Sequence, residues 1–333
     1  MRISKELYCW FLFKSQTNYT GTYLEDNSEG VGRNAVYNFL KHENIGSEDI
    51  WDEVKEDIIY SENGCIIYDD TVLDKSYSHN IELVKKQYSG NAHGVIKGIG
   101  VVGCVYFNPD IDRFWVIDFR IFDPETDGKT KLDHASDMLD SLQVRDIIYK
   151  NVLMDTWYAT RDIMLKINDL GKIFYCPIKT SRLVKENAEG GYRHVGSLQW
   201  TQTELMEGKT VKLNDFPKRK LLKMFCVVVS NRRTDYIVTN DLSEDYIDNV
   251  LIMNKYRWKI EQFHREVKQL TGIERCQCRL KQSQKNHISC AILIWNALKD
   301  LSYKLEKTIY ELKRTLLDDY IKQQLKSNKL VFQ

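Results

Sequence analysis

The chain has 333 residues, of which 43% are hydrophobic and 11% aromatic, and its formal net charge is +1. This composition predicts a folded chain with a buried core, excludes a disordered polymer, and gives no overall basic signal of a nucleic-acid partner. No stretch approaches the roughly 18 apolar residues of a membrane span, and the scattered cysteines indicate reduced thiols. We therefore expect a soluble, cytoplasmic protein without a membrane partner.

The charges are unevenly distributed along the chain. Residues 43–62 carry eight acids against one lysine, a net charge of −7, whereas residues 255–285 carry nine bases against three acids, a net charge of +6. Such asymmetry is expected in a protein that binds a polyanion through one part of its surface. The common alternative is that these charged residues lie on the solvated face of a helix.

Residues 8–60 are predicted to be helical. A short helix precedes a turn at Gly30–Gly32, and the helix that follows has Val36, Phe39 and Leu40 on its inward side. Its outward side carries Arg33, Tyr37, Asn38 and Lys41. This arrangement is typical either of a helix-turn-helix that binds DNA or of an ordinary small helical subdomain.

The pattern then changes to strands. The segments GCIIYDD, VIKGIGVVGCVYF and RFWVIDFRIF are rich in β-branched and aromatic residues. A helix over about 133–149, the strand NVLMD, a helix near 158–169 and the strand KIFYCPI follow. Strand-like pieces (HVGSLQW, KTVKL, MFCVVVS and YIVTN) occupy 178–240, and the chain from about 243 is predicted to be helical. This order predicts an α/β fold with a mixed sheet.

Two carboxylates stand where predicted strands end. Asp69 closes IIYD, and Asp155 closes VLMD. Ligands and catalytic groups gather at the carboxyl ends of strands in open α/β sheets, although a single Asp there is more often a turn or cap residue.

A third carboxylate lies on the predicted helix NKYRWKIEQFHREVKQL. At about 100° per residue, one side of this helix is apolar, with Tyr256, Ile260, Phe263, Val267 and Leu270. The other side carries Arg257, Glu261, His264, Arg265 and Lys268. This polar side is either an ordinary solvated face that contains an Arg257–Glu261 ion pair, or a functional face. In the second case Glu261 binds a metal ion and the surrounding cations bind phosphate.

Three acids from separate segments form the oxygen donor set that Mg²⁺ or Mn²⁺ requires. Two such ions, about 4 Å apart, activate a water or a 3′-hydroxyl and stabilise the leaving oxygen of a phosphodiester. The candidate catalytic and metal-binding residues are therefore Asp69, Asp155 and Glu261.

The segment from Arg257 to Lys268 resembles the Y-(2)-R-(3)-E-(6)-K signature of bacterial insertion-sequence transposases. Arg257, Glu261 and Lys268 match its spacing, whereas Asn254 stands where the signature has Tyr. The runs DDT from Asp69 and DTWY from Asp155 resemble the elements at the first two acids, which favours Asp69 over Asp70 as the ligand. The resemblance covers about residues 15–300.

The resemblance implies a DDE-type transposase with a ribonuclease-H-like core, a helical N-terminal region and a β-rich insertion between the second and third acids. The corresponding segments are a DNA-binding region at 1–60, the first part of the core at 61–177, the insertion at 178–240, and the rest of the core with C-terminal helices at 241–333. Asp155 and Glu261 are 106 positions apart in the sequence, which leaves room for such an insertion.

The resemblance also implies the partners. Mg²⁺, with Mn²⁺ as a substitute, would support cleavage at the terminal repeats of the element and strand transfer into target double-stranded DNA, within a homodimeric synapse at the bacterial nucleoid. DNA contacts are expected from Arg257, His264, Arg265 and Lys268, and from Arg33, Asn38 and Lys41. Trp200 in the insertion is either a base-stacking residue, as in hairpin-forming members, or a core residue.

Other interpretations are weaker. The run YDDTVLD is similar to the motif of haloacid-dehalogenase-like phosphatases, but the nucleophile position would hold Ile67, which cannot form an acyl phosphate. Cys276, Cys278, His287 and Cys290 would make an unusually spaced zinc site. A DNA-binding remnant without catalysis, or a host nuclease without strand transfer, are the remaining alternatives.

Overall fold

The N-terminal part of the chain forms a group of helices. The computed structural model describes residues 3–78, 80–90, 92–186, 190–230 and 233–315. The first helices are α1 (Lys5–Lys14), α2 (Gly21–Asp26), α3 (Arg33–His42) and α4 (Ser47–Val54). The hydroxyl oxygens of Ser4 and Thr20 accept backbone N–H bonds at the starts of α1 and α2. The predicted faces of α3 are confirmed, because its apolar residues are buried and its polar residues are exposed.

The next elements form the centre of the sheet. They are β1 (Cys65–Asp74), β2 (Lys85–Ser89), β3 (Gly94–Asn108), β4 (Arg113–Ile121), β5 (Asn151–Met154) and β6 (Ile173–Ile178). Strand β3 pairs antiparallel with β1, β2 and β4, whereas β5 pairs parallel with both β1 and β6. The order β4-β3-β1-β5-β6, with three antiparallel strands followed by two parallel ones, is the ribonuclease-H-like fold that the resemblance implied.

Helices cover both faces of this sheet. Helices α5 (Pro124–Asp127), α6 (Lys131–Val144) and α7 (Arg161–Asp169) connect the central strands. Side chains of β1 alternate between two buried clusters, since Cys65 and Ile67 pack on one face and Ile66 and Tyr68 on the other. Each face of β1 therefore has its own core, and the side chains that follow along the strand also alternate.

The segment 178–240 extends the same sheet. It contains β7 (Leu183–Lys185), β8 (Arg193–His194), a 3₁₀ helix (Val195–Ser197), α8 (Gln202–Glu207), β9 (Lys209–Leu213), β10 (Leu222–Ser230) and β11 (Arg233–Thr239). Strand β11 pairs antiparallel with β6, and β10 and β9 follow outward. The prediction that HVGSLQW is a strand was wrong: the 3₁₀ turn replaces it, and a capping box between Thr201 and Glu204 starts α8 immediately afterwards.

The chain continues with the helices α9 (Ile247–Tyr256), α10 (Trp258–Leu270) and α11 (Lys281–Lys304), and residues 309–315 are helical as well. The single helix predicted over 254–270 is in fact two, divided at Arg257, because α9 packs on β6 and β10 whereas α10 packs on β1 and β3. Within the described ranges, no helix is long and apolar enough to cross a membrane. The predicted segment 241–333 includes residues 316–333, which lie outside the described residues.

Candidate active site

Pairing of two parallel strands places the first two acids side by side. Tyr68 of β1 lies opposite Met154 of β5, so Asp69 and Asp155 are the next residues along neighbouring strands. Asp155 directly follows β5, as predicted. Asp69 does not end its strand, because β1 keeps pairing with β3 as far as Asp74 and thereby holds the carboxylate in the middle of a long strand.

The Asp69 carboxyl is mostly buried, with 17% of its side chain exposed. Its Oδ1 accepts the backbone N–H of Asp70 at 2.8 Å. Burial raises the pKa of Asp69 well above its ordinary value, and the negative charges of Asp155 and Asp70 raise it further. The positive charge of Arg257 opposes this shift in the pKa of Asp69. A cation close to this carboxyl would therefore stabilise its ionised form.

The Asp155 carboxyl is oriented by the backbone that follows it. Its Oδ1 accepts the N–H of Trp157 at 2.8 Å and that of Tyr158 at 3.1 Å. Burial raises the pKa of Asp155, whereas these two hydrogen bonds and the nearby Arg257 lower it. The loop after β5 thus fixes one carboxylate oxygen in place.

Glu261 reaches this region from α10. Its Oε1 accepts a charge-assisted hydrogen bond from the Arg257 Nη1 at 3.0 Å, which is the ion pair expected if this side of the helix is solvated. The positive charge of Arg257 also lowers the pKa of Asp69 and of Asp155, so this guanidinium interacts electrostatically with both aspartates while it pairs with Glu261. The Arg257 Nε is buried and has no hydrogen-bond partner among the described residues.

The chemistry of these three acids, here called the carboxylate triad (Asp69, Asp155 and Glu261), suits a divalent cation. All the donors are oxygens, and two of them are buried carboxyls that repel each other. Among the described residues, no three His, Cys, Asp or Glu side chains are grouped closely enough to enclose a metal ion as they stand. Completing the set would need a change in the position of at least one of these three side chains.

Asp70 belongs to the opposite face of β1. Lys131 of α6 donates to Asp70 Oδ2 at 2.5 Å, and the Tyr158 hydroxyl donates to its Oδ1 at 3.1 Å. The alternation expected along the strand is therefore present. Asp70 is neutralised by α6, on the face away from α10.

His264 does not lie on a solvated face, contrary to the expectation that it contacts DNA. Only 7% of the residue is exposed, and its Nδ1 lies 4.0 Å from Asp69 Oδ2. Burial, followed by the charge of Lys268, lowers the pKa of His264 to about 3. The burial and the lowered pKa of His264 differ from the exposed, charged side chain that we expected, and its contact with DNA stays a prediction.

The other cations of α10 differ in their availability. Lys268 is largely buried: its Nζ donates to the Val72 carbonyl at 2.8 Å and lies 3.3 Å from Glu274. Lys268 therefore connects α10 to β1 through this hydrogen bond, whereas we expected its ammonium to be free to contact DNA. Arg265 is exposed, as predicted.

Trp200 is partly buried. Its ring lies 6.3 Å from that of Tyr236, and the Lys209 Nζ lies 5.3 Å from its centre. Its Nε1 is buried and has no hydrogen-bond partner among the described residues. These contacts support the core alternative for Trp200.

The proposed zinc ligand His287 is already engaged. One of its ring nitrogens is 2.8 Å from the Tyr8 hydroxyl and the other is 3.0 Å from the Gly272 carbonyl.

The DNA-contact candidates Arg33, Asn38 and Lys41 are exposed on α3, which packs against α2 and α11.

Two residues near the triad were missed in the sequence. Trp157 follows Asp155 by two positions and is 58% exposed, a placement that the run DTWY could have suggested. Arg233 at the start of β11 interacts electrostatically with Glu261. Arg233 carries no sequence signal, since only the pairing of β11 with β6 brings it to this edge of the sheet.

Comparison with known proteins agrees with this geometry. The family model described as transposase DDE domain matches residues 116–297, which include Asp155, Glu261 and all of α10. Asp69 precedes the matched range and reaches Asp155 through the pairing of β1 with β5. A search of curated proteins returns no match. Because the matched range spans more than half of the chain, this protein belongs to the transposase DDE domain family.

Proposed function

We propose that this protein is a DNA transposase that cuts DNA at the ends of its element and transfers the freed strand into target DNA. The observation that carries this proposal is the side-by-side placement of Asp69 and Asp155 at neighbouring parallel strands, in a chain of the transposase DDE domain family. Glu261 of α10 is paired with Arg257, whose charge lowers the pKa of both aspartates. The substrates would be terminal repeats and target DNA, both double-stranded.

The roles of the triad follow from its surroundings. Asp69 and Asp155 would hold divalent cations in their ionised forms, and the backbone N–H groups after β5 keep Asp155 aimed at the site. Glu261 would join them after releasing Arg257, whose guanidinium is then free to bind a phosphate of the DNA strand. Bound Mg²⁺ or Mn²⁺ would activate a water or a 3′-hydroxyl and stabilise the leaving oxygen.

The remaining contacts are assigned by exposure. Arg265 on α10 and the polar side of α3 would bind DNA phosphates, with Arg33, Asn38 and Lys41 recognising the element's ends. Two ends must be held together for strand transfer, so the active species would be a homodimer on DNA.

The direct test is a reaction of the purified protein with DNA that carries the inverted repeats flanking its gene. Mg²⁺, Mn²⁺ and a target plasmid are supplied, and the products are sequenced. The proposal predicts 3′ ends released at the repeats and joined to the plasmid. Cleavage without joined products would favour the host-nuclease alternative, and binding without cleavage would favour the non-catalytic remnant; either result contradicts the proposal.

A further inference from the structure

A cleft adjoins the carboxylate triad on the side of Asp155. Its volume is about 370 Å³, and it lies between the loop that follows β5 and the loop that follows β6. We call it the Trp157 cleft, after a lining that includes Thr156, Trp157, Arg161, Lys179, Ser181 and Arg182. Since β5 and β6 are parallel, both loops leave the carboxyl edge of the sheet, where ligands of such sheets bind.

Trp157 presents an aromatic surface in this cleft. The residue is 58% exposed, and among the described residues its ring has no aromatic or cation partner. By contrast, Trp115 and Trp295 are buried in the cores on the two faces of the sheet. The backbone N–H of Trp157 donates to Asp155 Oδ1 at 2.8 Å, so Trp157 belongs to the loop that orients one acid of the carboxylate triad.

Two cations at the cleft are available to a phosphate. Lys179 is exposed and has no ion-pair partner in the part of the chain that the structure describes. Among the described residues Arg161 pairs only with its neighbour Asp162, and both side chains are largely exposed, so this pair is weak. Arg182 is different, because its guanidinium is fixed by the Ala159 carbonyl at 2.6 Å and by Asp215 at 2.8 Å.

We propose that the Trp157 cleft binds one unpaired nucleotide of the DNA strand whose neighbouring phosphate lies at the carboxylate triad. The base would stack on the Trp157 ring, and Lys179 and Arg161 would hold its flanking phosphates. The cleft volume of about 370 Å³ is at the low end for ligand pockets, which accommodates a nucleotide but not a stack of base pairs. This inference rests on the proposed transposase function and adds that the strand is unpaired on the Asp155 side.

The test measures the affinity for three fluorescein-labelled DNAs: a blunt duplex of the element's end, and the same duplex with an unpaired tail at its 5′ or at its 3′ end. Ca²⁺ replaces Mg²⁺, so that binding occurs with little cleavage. Trp157→Ala should weaken binding of one tailed duplex by about 5- to 100-fold and leave the blunt duplex unaffected. Trp157→Phe should restore binding, because it retains a ring, and Lys179→Ala should lower the salt slope by about 1.

Two controls locate the contact. Trp10→Ala removes another exposed tryptophan, on α1, and should change none of these affinities. In a second control, each base of the tail is removed in turn by an abasic substitution. Removal of the base that stacks on Trp157 should weaken binding by the wild type and should not weaken binding by Trp157→Ala any further.

Two outcomes separate the possible failures. If Trp157→Ala binds both tailed duplexes like the wild type, or loses affinity equally for all three DNAs, the cleft proposal is overturned while the transposase function stands. If the wild type binds none of these DNAs, the proposed function is overturned together with this inference.

Discussion

Asp69 is a carboxylate in surroundings that favour its neutral form. In the unfolded chain it would ionise near its ordinary pKa of about 3.9, whereas burial and the neighbouring Asp155 and Asp70 raise the pKa in the folded protein. Above the raised pKa, folding keeps a charge buried, which costs stability. As the pH falls through that raised pKa towards the unfolded value, the native state takes up the proton and the metal-free protein gains stability.

Asp69→Asn should therefore stabilise the metal-free protein at neutral pH, by about 1 kcal/mol, while abolishing cleavage. Asn keeps the size of the side chain and removes the buried charge. Thermal unfolding in EDTA measures the effect, and the advantage over the wild type should shrink as the pH is lowered. A melting temperature of Asp69→Asn below that of the wild type at neutral pH would show that the buried charge of Asp69 does not destabilise the folded protein.

Individual residues differ in how far the sequence could predict them. The Arg257–Glu261 pair follows from helical spacing alone, and the structure contains it. His264 was assigned to the solvated side because a helical projection treats every polar residue as outward facing. Its burial against Asp69 depends on the packing of α10 over β1 and β3, which no local pattern reveals.

At the scale of elements, α10 is anchored on the side away from solvent by Glu266, which is 3% exposed. Its Oε2 accepts the Trp295 Nε1 at 3.1 Å and lies 3.3 Å from the Lys299 Nζ, while Gln262 donates to its Oε1 at 2.7 Å. This network joins α10 to α11 and thereby sets the position from which Glu261 reaches the other acids.

Glu266→Ala should lower the free energy of unfolding by about 3 to 5 kcal/mol, because it leaves the Lys299 ammonium buried without its partner. Glu266→Gln keeps an acceptor for Trp295 and should cost less. Urea denaturation measures both variants, with the exposed Arg265→Ala on the same helix as control. Equal stability of Glu266→Ala and Arg265→Ala would mean that this network does not anchor α10.

Helix α3 carries the prediction about end recognition. Replacing Arg33, Asn38 and Lys41 with Ala should weaken binding to the element's ends and reduce its salt slope by about 2, since two cations are removed. A binding titration over a range of salt concentrations measures both quantities. The charge-matched control is the exposed pair Lys150→Ala and Lys307→Ala. An unchanged affinity and slope would assign α3 to packing or dimerisation.

Elements could be predicted where their signal is local. The strands around Asp155 follow from short apolar runs, and the faces of α3 follow from the 3.6-residue periodicity. The break at Arg257 has no such signal, because Arg257 itself has helical backbone angles and the helix turns only to meet different strands. Strand β1 likewise extends past the predicted end because its antiparallel partner β3 is long.

For the whole molecule, the mixed α/β class was predictable from the pattern, because strands precede an alternation of strand and helix. The ribonuclease-H-like order of the core strands was implied only by the family resemblance. The attachment of segment 178–240 was not predictable. Its strands join the central sheet through β11 and β6, residues 233–239 and 173–178, a pairing between segments distant in sequence. That pairing places Arg233 at the edge of the sheet where it interacts electrostatically with Glu261. The boundaries of the segment at 178 and 240 stay a prediction.

The measurement that tests the central claim most directly is metal-dependent cleavage of an end-bearing DNA by single-residue variants of the triad. Asp69→Ala, Asp155→Ala and Glu261→Ala should each reduce cleavage by roughly a thousand-fold or more, about as much as the triple variant, because the three act as a unit. DNA binding should persist in each, since removing a carboxylate reduces repulsion of phosphate.

Asp70→Asn is the matched control, since Asp70 lies on the other face of β1 and is held by Lys131 and Tyr158. We expect this variant to cut. If Asp70→Asn loses cleavage while Asp69→Ala remains active, the first metal ligand is Asp70 and our assignment of Asp69 is wrong by one residue. Undiminished cleavage by Asp69→Ala, Asp155→Ala and Glu261→Ala would contradict the account as a whole.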